Sequence, residues 1–322
     1  MTSRLRLAII GSGEIANFHV SAAKRSGFDV VGVAARKNSE TVRVFAQTHE
    51  IPQTWSDPLQ LIAEEDHWDA LIIAASTEAV IPLLTQAIKI GKPVLVEKPI
   101  AITSSALIPF INQDKNVMVG FNRRFYAPVQ AAKRFLELGG PCSIHLQLPE
   151  SVTFDQDTKS WDTKYVRLNS VHGFDLVNYL TGGLSLMSTS FVGRKEDRRG
   201  GAVVLGSSRG DICTISANWN APANFALTID RESERFELRP LEFGIRYKGL
   251  EVVEPTTEVP IRRYLPKNVE QFPPDQESLD FKPGFFAQCE ALAALVHGNR
   301  SEIAATINDA YLALLVAEAL LD

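Results

Sequence analysis

At 322 residues the chain has room for two domains of ordinary size. Hydrophobic residues at 45% against 22% charged exclude a disordered or fibrous chain, and 33 Lys plus Arg against 38 Asp plus Glu, net −5, excludes nucleic acid as the main partner. No apolar run approaches the roughly 18 residues of a membrane span, and Cys142, Cys213 and Cys289 are too scattered for a disulfide framework, so a reducing, cytoplasmic setting without membrane contact is expected.

The first 120 residues alternate strand and helix patterns. Arg6–Ile10 reads as a strand, followed by the turn Gly11-Ser12-Gly13 and a helix to about Arg25. Phe28–Ala35 is a second strand and 38–49 a helix. Asp69–Ala75 is an almost unbroken apolar run, the pattern of a strand buried on both faces. Ala79–Lys89 is helical and closes at Gly91. Pro93–Val96 and Val117–Phe121 are further strands, with a helical segment starting near Thr103 between them. This rhythm predicts a parallel sheet with helices on both faces.

Beyond Phe121 the pattern changes. Tyr126–Leu138 and Ser170–Leu180 read as helices and Cys142–Leu148 as a strand. From Leu184 to about Val253 strand-like runs follow one another over short connections, which predicts an open, largely antiparallel sheet. Pro255–Pro274 is Pro-rich and is expected to form a loop without regular structure. Helices near Phe285–His297 and Ile307–Leu321 complete an α/β chain, with a dinucleotide-binding domain over 1–120 and a substrate-binding and oligomerisation domain over 121–322.

Gly11-Ser12-Gly13-Glu14-Ile15-Ala16 fits G-x-G-x-x-A between a strand and a helix. There the first glycine permits a tight turn, the second admits a pyrophosphate to the backbone N–H groups, and Ala16 permits close helix–sheet packing. Gly11, Ser12, Gly13, Glu14 and Ile15 are therefore expected cofactor contacts. The second strand ends Ala35-Arg36-Lys37 without the carboxylate that would bind the ribose 2′-hydroxyl of NAD. Room and positive charge at that point predict NADP in preference to NAD. Ser76 and Thr77, after the third long strand, are expected on the ribose or nicotinamide side.

Val94-Leu95-Val96-Glu97-Lys98-Pro99, at a carboxyl strand end, is the sharpest signal. With the glycine loop, Gly120-Phe121-Asn122-Arg123-Arg124-Phe125 and Val171-His172-Gly173-Phe174-Asp175-Leu176, it resembles the Gfo/Idh/MocA family of NAD(P)-dependent oxidoreductases. The resemblance implies hydride transfer between nicotinamide and a hydroxyl-bearing carbon of a sugar, sugar derivative or cyclitol. It makes Lys98 and His172 the catalytic pair, converging on the substrate carbon, with Glu97 either orienting Lys98 or contacting the ribose. It also implies a homodimer or homotetramer, because sheet faces that no helix covers need another subunit.

One departure stands out: the family's aspartate, four residues before the histidine, falls at Leu168, which cannot titrate. Either His172 and Lys98 suffice, or the substrate differs, or activity is reduced. Asn169 neighbours that position and either contacts substrate or caps the helix, and Asp175 lies on the His172 face at i+3. Asn122 and Arg123 are expected at the substrate rim, with one of Arg123 and Arg124 in a structural ion pair. Trp161 and Tyr165 either wall a sugar face or pack in the core. No metal-ligand spacing and no G-x-S-x-G elbow are present, so neither a metal nor a hydrolase is expected. The rival functions are a cofactor-binding sensor without turnover and a reductase of a non-sugar substrate.

Overall fold

The computed structural model describes residues 4–36, 40–113, 115–155, 160–194 and 198–321. They divide into two compact units, Met1–Phe125 with Gln276–Glu318, and Tyr126–Asp275 with Ala319–Asp322.

The first unit begins β1 (Leu5–Ile10), α1 (Glu14–Arg25), β2 (Phe28–Ala34), α2 (Glu40–Thr48), β3 (Gln53–Trp55) and α3 (Pro58–Ala63). It continues with β4 (Ala70–Ile73), α4 (Thr77–Ile90), β5 (Val94–Val96) and β6 (Val117–Val119). All six strands run parallel in the order β3-β2-β1-β4-β5-β6. This is the doubly wound order whose direction reverses between β1 and β4, where such sheets open a ligand crevice. Leu71, Ile72, Val94 and Leu95 are fully buried, as unbroken apolar runs require between two helix layers. The segment expected to be helical from Thr103 is instead a 3-10 turn over Ser104–Phe110, because Pro109 lies within it.

The second unit comprises α5 (Ala127–Glu137), β7 (Ser143–Leu148), β8 (Thr153–Asp155), β9 (Ser160–Asp162) and α6 (Val171–Thr181). Then follow β10 (Ser185–Phe191), β11 (Gly200–Gly206), β12 (Ile212–Asn218), β13 (Ala226–Arg231), β14 (Glu234–Leu238), β15 (Gly244–Val253) and β16 (Arg263–Phe272). Eight of these strands form one sheet in the order β10-β11-β12-β7-β13-β14-β15-β16, antiparallel at every pair except β12 with β7. In β7, Ile144, Leu146 and Leu148 are buried while Ser143 is exposed and His145 and Gln147 are half-buried, the alternation of a sheet covered on one face.

The strand β16 corrects the loop expected over Pro255–Pro274. Proline is tolerated there because β16 is an edge strand, and its register against β15 is broken near Leu250↔Pro266.

The chain returns to the first unit with α7 (Gln276–Asp280), α8 (Phe285–Val296) and most of α9 (Ile307–Leu321). The second unit therefore does not extend unbroken from residue 121 to the end. The reason lies at the β6 edge. Val119 donates to the Ala305 carbonyl at 3.0 Å, and Arg300 donates to the Val117 and Lys115 carbonyls at 2.9 and 3.0 Å. Buried Phe285, Cys289, Leu292 and Leu295 of α8 join the core around Leu7, Ile9 and α1. All three cysteines are free, and burial pushes the Cys213 and Cys289 thiols up to about 12. No helix among the described residues is long and apolar enough to cross a membrane.

Candidate active site

In the first unit the parallel ladder carries on past each strand and lines up four carboxyl ends. Gly11 donates to the Ala34 carbonyl at 2.8 Å, Ala74 to Ile10 at 2.7 Å, Glu97 to Ile73 at 2.8 Å and Gly120 to Val96 at 2.8 Å. The glycine loop, Ser76 and the Glu97-Lys98 pair therefore share one edge of the sheet, around the point where strand order reverses. Gly11 has φ +117°, and a Cβ on it would lie 2.2 Å from the Ala74 carbonyl oxygen. Above Gly13 there is open space within 4 Å of a Cβ, and α1 begins after it with no side chain capping its first turn. Amides left uncapped at a helix N-terminus, with room for close approach, suit a pyrophosphate. The residues present thus fit a dinucleotide.

Around that loop, Ser12 Oγ lies 3.0 Å from Thr41 Oγ1, Ser76 is exposed at the start of α4, and Thr77 is half-buried. Glu14 is exposed and Ile15 half-buried in the first turn of α1. Ala35 is buried and Arg36 exposed at the end of β2. Lys37 lies outside the described residues.

Glu97 is buried, and both its oxygens have protein donors. His19 Nε2 lies 2.7 Å from Oε1, so the ring N–H there donates to the carboxylate, and the Lys98 backbone N–H donates to Oε2 at 3.2 Å. This network fixes the peptide that carries half-buried Lys98. His19 was missed by sequence reasoning: it sits on the buried side of α1 with Ala16, Val20 and Ala23, a position whose pattern reads as core. Asn122 donates to the Pro283 carbonyl at 2.9 Å. Buried Arg124 pairs with Asp309 at 3.0 Å, the structural ion pair expected of one of the two arginines. Burial pushes the Asp309 carboxyl up, but the charge of Arg124 and hydrogen bonds from Thr306 and Arg124 outweigh it and leave it below the ordinary carboxylate range. Arg123 is half-buried.

In the second unit, α6 carries His172, 6% exposed, and Asp175, 1% exposed, in a helix buried over most of its length. One turn of π-helix, Val166–Ser170, leads into it and holds half-buried Leu168 and Asn169. Such turns often mark functional sites. Ser170 occupies the N-cap position without a side-chain capping bond. Instead Ser170 Oγ donates to Glu150 Oε2 at 2.8 Å, and Asn169 Nδ2 to the same carboxylate at 3.1 and 3.3 Å. Tyr165 is exposed. Trp161 stands in β9 opposite Phe154, and its side chain lies outside the described atoms. Among the described residues no group of three or more His, Cys, Asp or Glu is placed to hold a metal ion.

Residues 5–112 match the model of an oxidoreductase family with an NAD-binding Rossmann fold, Gfo/Idh/MocA. The uncharacterized oxidoreductase YrbE of Bacillus subtilis (strain 168) is 27% identical over 211 residues, covering 59% of this chain and 60% of YrbE. The myo-inositol 2-dehydrogenase of Thermotoga maritima is 24% identical over 189 residues, 55% of each chain. The chain thus spans about three-fifths or less of the length of these two curated relatives. A levoglucosan dehydrogenase solved with NADH and levoglucosan has the same fold, with TM-score 0.78 at 17% identity over 99% of this chain and 96% of that one. Residues 5–112, which include the glycine loop and the Glu97-Lys98-Pro99 strand end, are thus similar to the NAD-binding Rossmann domain of the Gfo/Idh/MocA oxidoreductases.

Proposed function

We propose that this chain is an NAD(P)-dependent dehydrogenase acting on a hydroxyl-bearing carbon of a sugar, sugar derivative or cyclitol. The observation that carries the reading is Lys98 at the carboxyl end of β5, on the sheet edge that also holds the glycine loop. One of the relatives is named for myo-inositol, and the structural neighbour was solved with levoglucosan. The nicotinamide, when bound, supplies the hydride acceptor or donor. Lys98 donates a hydrogen bond to the substrate oxygen and stabilises the negative charge that it carries as its proton leaves in oxidation, or gains as hydride adds to the carbonyl in reduction. His172 takes the hydroxyl proton during oxidation and returns it during reduction, a task suited to imidazole near neutrality. Asn122, Arg123, Trp161, Asn169 and Asp175 are the proposed substrate contacts.

The cofactor we propose is NADP in preference to NAD, because exposed Arg36 follows Ala35 with no carboxylate at the end of β2. One charge-assisted hydrogen bond to a 2′-phosphate is worth about 1.5–3 kcal/mol, so NADP(H) should bind roughly tenfold to a hundredfold more tightly. Arg36→Ala should weaken NADP(H) far more than NAD(H), and Ala35→Asp should reverse the order. Titration of both cofactors, followed by a turnover screen over inositols, sugars and anhydrosugars, tests the whole reading. Equal cofactor affinities would overturn the NADP assignment. Tight binding without turnover would favour the sensor, the reading that Leu168 supports.

Self-association through the open sheet is proposed from Leu186, Met187, Phe191 and Val192 in and just after β10, and Leu250, Val252, Tyr264 and Leu265 on β15 and β16. All are exposed large apolar side chains. Sedimentation should give a dimer or tetramer, and Leu186→Asp with Met187→Asp should shift it toward monomer. A natural chain that sediments as a monomer contradicts this.

A further inference from the structure

Position 168 supplies no carboxylate to the segment before His172, yet a carboxylate stands against that segment. It belongs to Glu150, two residues past the end of β7 and only 6% exposed. Two features bring it there. Gly173 lets α6 lie on the end of β7, since a Cβ on it would be 2.7 Å from Leu148 Cδ2 and 3.0 Å from Leu146 Cδ2. The backbone of Glu150 is also pinned: its N–H donates to the Leu148 carbonyl at 3.0 Å, and its carbonyl accepts from Asn220 at 2.9 Å. Asn220 in turn exchanges two side-chain bonds with Val152, at 3.1 and 3.0 Å.

Among the described residues the carboxylate is held by neutral donors, the Ser170 hydroxyl and the Asn169 amide. Burying a carboxylate with neutral partners carries a desolvation penalty that an amide side chain would avoid. A glutamine at 150 would anchor both donors at lower cost, so an anchoring role alone does not account for the negative charge. Asn169 precedes His172 by three residues, across the junction between the π-helical turn and α6.

We propose that Glu150 is the positioning carboxylate for His172, supplied from the end of β7 in place of an acidic side chain at Leu168. The proposal rests on the reading of His172 as the proton-transfer group. A carboxylate bonded to the turn that leads into the imidazole's helix favours the protonated ring through its charge and fixes the segment that carries it. The other charged or titratable groups on α6 and the elements against it are Asp175, at i+3 from His172, and Tyr179 of α6, Arg167 in the π-helical turn, Lys133, Arg134 and Glu137 of α5, and His145 of β7. Lys133 of α5 donates to the Tyr179 and Leu180 carbonyls at the far end of α6. His145 lies 3.4 Å from Ser216 Oγ, on the face of β7 opposite its buried residues.

The test compares the full chain with Glu150→Gln and Glu150→Asp, following the His172 ring by NMR of histidine-labelled protein and recording kcat against pH. Glu150→Gln keeps an acceptor for Ser170 and Asn169 but removes the charge. It should make His172 titrate at lower pH and lower kcat by about tenfold or more, with dinucleotide affinity unchanged. Leu168→Asp added to Glu150→Gln should restore part of the loss. A His172 titration that superposes on that of the natural chain overturns the proposal. If Glu150→Gln does not fold, Glu150→Asp decides: a lowered kcat at unchanged dinucleotide affinity supports the proposal, and an unchanged kcat overturns it. The NMR readout needs no turnover, so an absence of dehydrogenase activity would count against the function and not against this contact.

Discussion

Lys98→Met is expected to lower turnover by about 10²-fold or more while leaving dinucleotide affinity near its natural value. The separation follows from how the strand end is built. The backbone at Lys98 is fixed by the Glu97 carboxylate, which is itself held by His19, and neither contact uses the Lys98 side chain. Methionine preserves the length and apolar stem of lysine and removes only the ammonium, so the loss measures charge stabilisation at the substrate oxygen. Steady-state kinetics with the best substrate of the screen, beside a fluorescence titration of the cofactor, gives both quantities. Near-normal turnover would take Lys98 out of the chemistry. Lost cofactor binding with unchanged kcat would make it a cofactor ligand instead.

The second large effect is expected at the glycine loop. In Gly11→Ala the new methyl would meet the Ala74 carbonyl oxygen at 2.2 Å, at a φ of +117° that L side chains rarely adopt. Strain of this kind costs on the order of 1–3 kcal/mol before the clash is counted. Because Ala74 is backbone, relief requires β1 and β4 to move apart at the point where Ala74 donates to Ile10. The melting temperature should fall by on the order of 5–10 °C, and dinucleotide binding should drop by about a hundredfold or more if, as proposed, the displaced loop cradles the phosphates. Gly13→Ala is the control: its Cβ meets nothing within 4 Å, so the fold should melt as the natural chain does while binding weakens. A Gly11→Ala protein that melts normally and binds normally would show that the loop relaxes freely and is not the cradle.

What the sequence determined by itself is whatever local pattern encodes. Apolar runs with no polar face made the buried parallel strands legible, and G-x-G-x-x-A and Glu97-Lys98-Pro99 could be placed at carboxyl strand ends before any contact was known. The i, i+3 spacing of His172 and Asp175 put both on one face of α6. Short or edge elements were less legible. β3 is three residues long, and β16 carries Pro266, whose cost disappears because among the described residues no strand pairs on its far side.

Tertiary structure alone decided the partners. Arg124 with Asp309, His19 with Glu97 and Glu150 with Asn169 and Ser170 join residues 185, 78 and about 20 positions apart. It also decided that residues from Gln276 to Glu318 belong with the parallel sheet, where Ala305 and Arg300 satisfy the β6 edge. The physical reason is the same in each case. A buried charge or an open strand edge states that it needs a partner, but distance along the chain carries no information about which segment folding will bring to it.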